Sequence, residues 1–94
     1  MSVLDKDEAV LTVLLERLEK QTLPRLFEMQ TRADRGELLN DADLVFLEES
    51  MREARQSEAL VIEHPQYQRL AGKLVDLYKA ITDKALANQE REST

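Results

Sequence analysis

The sequence predicts an all-α protein, built as an antiparallel bundle of three main helices of which the first is long and kinked at Pro24. Residues that break helices are rare, since the 94-residue chain has two glycines and two prolines. The 43% hydrophobic content is too high for a disordered chain, and the abundant Leu, Ala, Glu, Lys and Arg are typical of helices. Apolar residues recur at steps of three and four, the spacing of one helix face.

The first helix is predicted over residues 5–35. Proline inside a helix removes a hydrogen bond and costs about 3 kcal/mol. The apolar seam nevertheless continues in phase on both sides of Pro24, which favours one kinked helix, although Thr22 could instead cap a second one. Gly36 then follows as a residue that can adopt the left-handed cap. The seam consists of Leu11, Leu14, Leu15, Leu18, Thr22, Leu26, Met29 and Ala33.

The second helix is predicted over residues 41–63 and has the clearest boundaries in the chain. Asn40 is a good N-cap, and Asp43 stands three residues later, as in a capping box. Pro65 ends the helix because it pushes the residue before it out of the α region. The apolar stripe between these boundaries is interrupted at Glu58 and consists of Leu44, Leu47, Met51, Ala54 and Val61.

The third helix is predicted over residues 65–87, with Pro65 as its first residue. Tyr67 and Tyr78 lie eleven residues apart on one face, where we expect core-edge tyrosines with a hydrated hydroxyl rather than a ligand site. Residues 88–94 are polar and are predicted to be a frayed tail. A length of 94 residues predicts one domain, residues 1–94.

Negative charge is concentrated in the middle of the chain. Residues 37–64 hold eight acidic and two basic side chains, a net charge of −6. Residues 1–36 (six basic, seven acidic) carry −1, and residues 65–94 (five basic, four acidic) carry +1. Such a helix face is either simply solvated or a docking surface for a basic partner. The predicted acidic face consists of Glu48, Glu49 and Glu53.

The lengths of the helices predict self-association. At 1.5 Å per residue the first helix is roughly 45 Å long and the others are roughly 35 Å each, so its beginning would project past the second turn. Apolar residues left there without a partner indicate an interface, and a two-fold homodimer is the commonest assembly. A curved or crossing third helix would cover part of this surface instead. The predicted interface consists of Val3, Leu4, Val10, Leu11, Val45 and Phe46.

No catalytic, cofactor-binding or metal-ligating residue is predicted, and the protein is not expected to be an enzyme. His64 is the one histidine, and its position before Pro65 favours a structural role. No cysteine is present to act as a nucleophile or metal ligand. Asp41 and Asp43 are ligand types for calcium, but the helix cap explains them. Two glycines cannot build a phosphate-binding loop.

Nucleic acid and membranes are not expected partners. Arg25, Arg32 and Arg35 share one face of the first helix. Either charge near a helix C-terminus explains them, or they pair with the acidic second helix of the same chain or of a partner chain. No apolar stretch approaches the roughly 20 residues of a membrane span, and the first residues make a poor signal peptide. A cytoplasmic location is therefore expected.

The sequence thus favours a small soluble helical protein–protein interaction module that self-associates and has no catalytic activity. The alternative is an acidic regulatory or accessory subunit, which holds a basic partner protein of an enzyme or nucleic-acid machine.

Overall fold

A computed structural model describes the backbone from Val3 to Ser93, with the side chains of residue 6 and residues 8–92. This part of the chain is helical and contains no strand, so the predicted all-helical class is confirmed. The fold is elongated, with principal extents of 59 × 19 × 17 Å. Its α-helices are α1 (Val3–Arg17), α2 (Leu23–Asp34), α3 (Asp41–Gln56), α4 (Glu58–Glu63) and α5 (Gln68–Ser93).

The chain stays helical through Pro24. A π-helical segment, Leu18–Thr22, joins α1 to α2, and the amide of Leu23 donates to the carbonyl of Leu18, five residues back. Proline lacks an amide hydrogen and its ring clashes with the carbonyl four residues earlier, so a wider turn accommodates it. Thr22 has helical dihedral angles and makes no side-chain cap, so the alternative of a second helix capped by Thr22 is not found.

The turn after α2 is closed by Gly36, as predicted. Gly36 has φ of 90°, in the left-handed region that glycine tolerates best. Its amide donates to the carbonyl of Ala33 at 2.9 Å, and the amide of Glu37 donates to the carbonyl of Arg32 at 3.1 Å. This pairing satisfies carbonyls that the helix end would otherwise leave free. A Cβ at position 36 would also lie 2.6 Å from Nη2 of Arg91.

The predicted cap of the second helix is confirmed and makes a further contact. The amide of Asp43 donates to Oδ1 of Asn40 at 2.8 Å, and the amide of Asn40 donates to Oδ2 of Asp43 at 3.0 Å. The guanidinium of Arg32 donates to both carboxylate oxygens of Asp43, at 2.8 and 2.9 Å. Arg32 lies on α2, so the carboxylate that completes the local cap also forms a bidentate ion pair between two helices.

A compact core fills one half of the molecule. Leu26, Met29 and Ile81 are completely buried, and they form one cluster with Leu47 and Tyr78. These residues come from α2, α3 and α5, so three helices meet here. Truncating such a side chain to alanine typically costs about 2–5 kcal/mol, so each member of this cluster contributes substantially to stability.

The second predicted helix is divided at Ser57. The Ser57 hydroxyl donates to the carbonyl of Glu53 at 2.9 Å, a contact that often bends helices. Hydrogen bonds still cross the break, since the Ser57 amide donates to Glu53 and the Val61 amide donates to Ser57. The division lies beside Glu58, where the apolar stripe is interrupted.

A tight elbow connects α4 to α5. His64 has φ of −126° and ψ of 80°, outside the helical region, as expected before Pro65. Residues Pro65–Tyr67 form a 3₁₀ turn before α5 begins at Gln68. The predicted third helix therefore starts three residues later than expected.

The prediction of a frayed tail over residues 88–94 is wrong for its described part, because α5 continues to Ser93. Asn88 is 1% exposed, and its side-chain amide donates to the carbonyls of Ala33 and Glu37 at 2.8 and 3.2 Å. Arg91 donates to the carbonyl of Gly36 at 3.4 Å. Polar side chains hold this helix end against the turn after α2, a role that composition alone does not reveal.

Replacing Asp43 by asparagine should destabilise the fold. Asn at this position can still accept the hydrogen bond from the amide of Asn40, but it loses the charge-assisted pair with Arg32. We therefore expect the free energy of unfolding to fall by about 2–3 kcal/mol. The hydrogen bonds from Arg32 hold the pKa of Asp43 below its usual range. This contribution is therefore present above the unfolded pKa of about 3.9 and is lost as the pH falls through the lower folded pKa.

Urea unfolding of the wild type and Asp43→Asn at about pH 7 and about pH 2 measures both effects, because the difference should shrink at the lower pH. Asp41→Asn is the matched control, because Asp41 is exposed in the same helix turn. A difference that stays constant with pH would contradict the assigned role of the Asp43 carboxylate.

Candidate functional site

An apolar groove of about 670 Å³ lies between α1, the α3–α4 segment and the first half of α5. Pockets that bind small molecules typically measure about 300–1,000 Å³. Its walls are aliphatic, and both α1 and α5 contribute leucines. Side chains that line the groove include Leu14, Leu15, Met51, Ala54, Leu70 and Leu74.

The groove continues the apolar seam that forms the core. Leu26 and Met29 of this seam are fully buried on α2. Toward α1, Leu14, Leu15 and Leu18 belong to the same sequence pattern but are only half-buried, and they line the groove. The seam is therefore tightly packed in one half of the molecule, whereas in the other half Leu11 is buried and the three later leucines are only half-buried.

Two hydroxyl groups lie where the groove meets the core. Ser50 of α3 and Tyr78 of α5 hydrogen-bond to each other, and both residues line the groove. They are 7% and 5% exposed, respectively. Tyr78 is therefore more deeply enclosed than the predicted position at the core edge, and its phenol hydrogen-bonds to a serine.

Burial raises the pKa of the Tyr78 phenol above its usual range. The hydrogen bond with Ser50 opposes this shift, and the negative charge of Glu53 adds to it. Desolvation penalises the charged phenolate, and a nearby carboxylate penalises it further. Tyr78 is consequently a neutral hydroxyl at physiological pH and can donate as well as accept a hydrogen bond.

The rim of the groove carries charges of both signs. Glu53, Glu58 and Asp83 are acidic, whereas Arg55 and Lys79 are basic. Glu53 also forms an ion pair with Arg17 across the α1–α3 boundary, with 3.3 Å between Nη2 and Oε1. Both of these side chains are about half exposed, so the pair contributes little to stability. It does show that α1 and α3 approach each other on this side.

The predicted interface residues of α3 lie at a second, shallower cleft. Val45 is 55% exposed, whereas Phe46 is half-buried. The guanidinium carbon of Arg25 lies 4.3 Å from the centroid of the Phe46 ring, a cation–π contact. Phe46 therefore has a partner within the chain, and Val45 remains available to another molecule.

The predicted interface residues at the start of α1 differ in their exposure. The side chains of Val3 and Leu4 lie outside the described residues. Val10 is 43% exposed and Val13, which the prediction omitted, is 65% exposed. The prediction for Leu11 is wrong. Leu11 is 3% exposed, so it is buried within this chain and does not lack a partner.

The three residues of the predicted acidic face are all exposed but differ in their contacts. Glu48 pairs with Arg52, one turn later on α3, at 3.1 Å. Glu53 pairs with Arg17. Glu49 forms no ion pair with another described residue and borders the cleft beside Val45. The part of this face that remains open to a basic group is thus smaller than the sequence indicates.

His64 is buried at the elbow between α4 and α5. It is 8% exposed, and its Nδ1 lies 2.7 Å from the carbonyl oxygen of Leu60, one turn earlier. Its ring lies 6.3 Å from the ring of Tyr67. Among the residues that the structure describes, no group of three histidine, cysteine, aspartate or glutamate side chains is arranged to hold a metal ion.

Sequence reasoning missed the hydroxyl pair because its members are 28 residues apart and only the fold brings them together. A serine on an apolar stripe was the available signal: Ser50 stands next to Met51 and three residues after Leu47. A polar residue there needs a partner from another helix.

No helix in the described part of the chain is long and apolar enough to cross a membrane. Comparisons with protein families, curated proteins and solved structures found no match to this chain.

The buried phenol should be detectable by titration. In a Tyr67→Phe variant, Tyr78 is the sole tyrosine, because the chain has two. We expect its absorbance change to have a midpoint above the ordinary value of about 10. Adding Glu53→Gln should lower that midpoint, whereas Glu49→Gln serves as a control on the same helix. A Tyr78 midpoint at or below about 10 would contradict the assigned environment.

Proposed function

We propose that the chain is a small helical protein–protein interaction module that self-associates and has no catalytic activity of its own. The observation that carries this proposal is the exposure of large apolar side chains at the start of the first helix. Val10 and Val13 are 43% and 65% exposed and lie three residues apart, on neighbouring positions of one helix face. Apolar surface of this kind on a small domain is typical of an interface.

We further propose that the helices form the predicted antiparallel three-helix arrangement. Two ion pairs support it: Asp43 pairs with Arg32, and Glu53, later in α3, pairs with Arg17, earlier in the first helix. The sequence order is therefore reversed along the two helices. In such an arrangement, α1 reaches the elbow at His64 and its first turns extend beyond α3.

A second copy of the chain is the partner that requires the fewest assumptions. A two-fold axis would bring the valines of one α1 against those of the other, since the same patch faces itself across such an axis. The pairing would bury apolar surface on both copies at once. Val45 lies on α3 at the Arg25–Phe46 cleft and is also exposed, so it is available to such contacts.

Self-association can be tested by sedimentation velocity over a range of concentrations. We expect a dimer at high micromolar concentration, and Val13→Asp should weaken it at least about tenfold, because a buried carboxylate would oppose association. Thr12→Asp is the matched control, since it places the same charge one position away on another exposed face of α1. A wild-type protein that is monomeric throughout would refute self-association.

The alternative is an accessory subunit that holds a basic partner, and the exposure of Glu49 favours it. Its carboxylate forms no ion pair within the described residues, so it is available to a lysine or arginine of another protein. Under this alternative, Glu49→Lys should reduce binding of a polylysine peptide more than Glu48→Lys does, because Glu48 already pairs with Arg52. Equal effects in fluorescence anisotropy would count against it.

A further inference from the structure

The hydroxyl pair in the groove has one hydrogen that the hydrogen bond within the pair does not use. Ser50 and Tyr78 each carry one hydroxyl hydrogen, and a single hydrogen bond between them uses one of the two. Whichever residue donates, the other hydroxyl makes no further hydrogen bond within the described part of the chain. Both residues are more than nine-tenths buried, so each hydroxyl meets the general need for one partner and one hydrogen is left to donate.

The spare donor borders the groove, because both residues line it. Water from the solvent can accept this hydrogen bond, and a molecule that fills the groove displaces that water and has to supply the acceptor instead. A backbone carbonyl of a partner helix is poorly suited to this role, because carbonyls inside a helix are already hydrogen-bonded. The position favours a molecule with an apolar body and one exposed acceptor.

The negative charge of Glu53 restricts which kind of acceptor group a ligand can place at the hydroxyl pair. Glu53 lies close enough to the Tyr78 phenol to disfavour negative charge there. A carboxylate placed at the hydroxyl pair would experience the same repulsion, and it would also be desolvated between apolar walls. A neutral acceptor, such as a carbonyl oxygen, takes the hydrogen bond without either penalty.

We propose that the groove binds a small apolar molecule carrying one neutral carbonyl group, whose oxygen accepts a hydrogen bond from the Ser50–Tyr78 hydroxyl pair. The alkyl or aryl body lies against the leucines of α1 and α5. The volume of about 670 Å³ is sufficient for such a ligand. This site is separate from Val10 and Val13, which do not line the groove.

Octanamide and octanoate form a matched pair of probes, with the same chain and a neutral or charged head group. In NMR titrations of the full chain, octanamide should bind saturably and shift the amide signals of groove residues. Octanoate should bind at least about tenfold more weakly, and Glu53→Gln should narrow that difference. Comparable affinity for both probes would overturn the proposed neutral acceptor.

Variants of the hydroxyl pair test which group makes the hydrogen bond. Ser50→Ala leaves Tyr78 with a hydroxyl hydrogen and should bind octanamide within about threefold of the wild type. The double variant Ser50→Ala/Tyr78→Phe has no donor and should bind about tenfold more weakly. Circular dichroism establishes that the helices persist in each. Unchanged affinity in the folded double variant would overturn the proposal.

A pair of tryptophan variants tests the location. Ala71 lines the groove, whereas Ala80 is exposed nine residues later, on the opposite side of α5. Ala71→Trp should abolish octanamide binding and Ala80→Trp should preserve it. The proposal is wrong if the wild type shows no saturable binding. A second copy of the chain would occupy the groove if Ala71→Trp dissociated a dimer and octanamide left that dimer intact. That result would also contradict the proposal.

Discussion

The carboxylate of Asp43 holds the turn on which the rest of the structure depends. One oxygen accepts from the backbone of Asn40, and both accept from Arg32, so a charge that is 4% exposed has partners on each side. Burying a carboxylate is tolerated only when its hydrogen-bonding capacity is met in this way. The same contacts set where α3 begins relative to α2, and therefore which residues of α3 face the core.

Polar contacts near the turn after α2 join residues far apart in sequence, whereas those near the elbow at His64 are mostly between neighbouring residues. Asn88 and Arg91 reach the turn after α2 from the opposite end of the sequence. At the elbow, His64 contacts the carbonyl of Leu60, within its own helix. The closely packed core lies beside the first set of contacts, and the open groove lies toward the second. Tight packing thus follows the polar contacts that fix helix positions, and the groove lies where fewer of them act.

Local signals explain what the sequence predicted correctly. The cap at Asn40 and the left-handed glycine at position 36 depend on residues within one turn of each other, and both were found. Pairing of Arg32 with the acidic second helix was one of two predicted roles, and the structure shows it. Asp43 could not be named as the partner, because it comes from another helix. Asn88 was assigned to a frayed tail for the same reason. The hydroxyl pair and the groove likewise depend on how α1, α3 and α5 meet, which periodicity within one helix cannot specify.

The contact of Asn88 with Ala33 has a consequence for how the molecule connects to its surroundings. The helix from Val3 to Asp34 is continuous, so its two ends are separated by most of the 59 Å length of the fold. Because Asn88 lies at the Ala33 end, the chain enters the fold at one end and leaves it at the other. Labels placed near the two ends of the described helices would be held apart, and tension between them would act along the long axis of the fold.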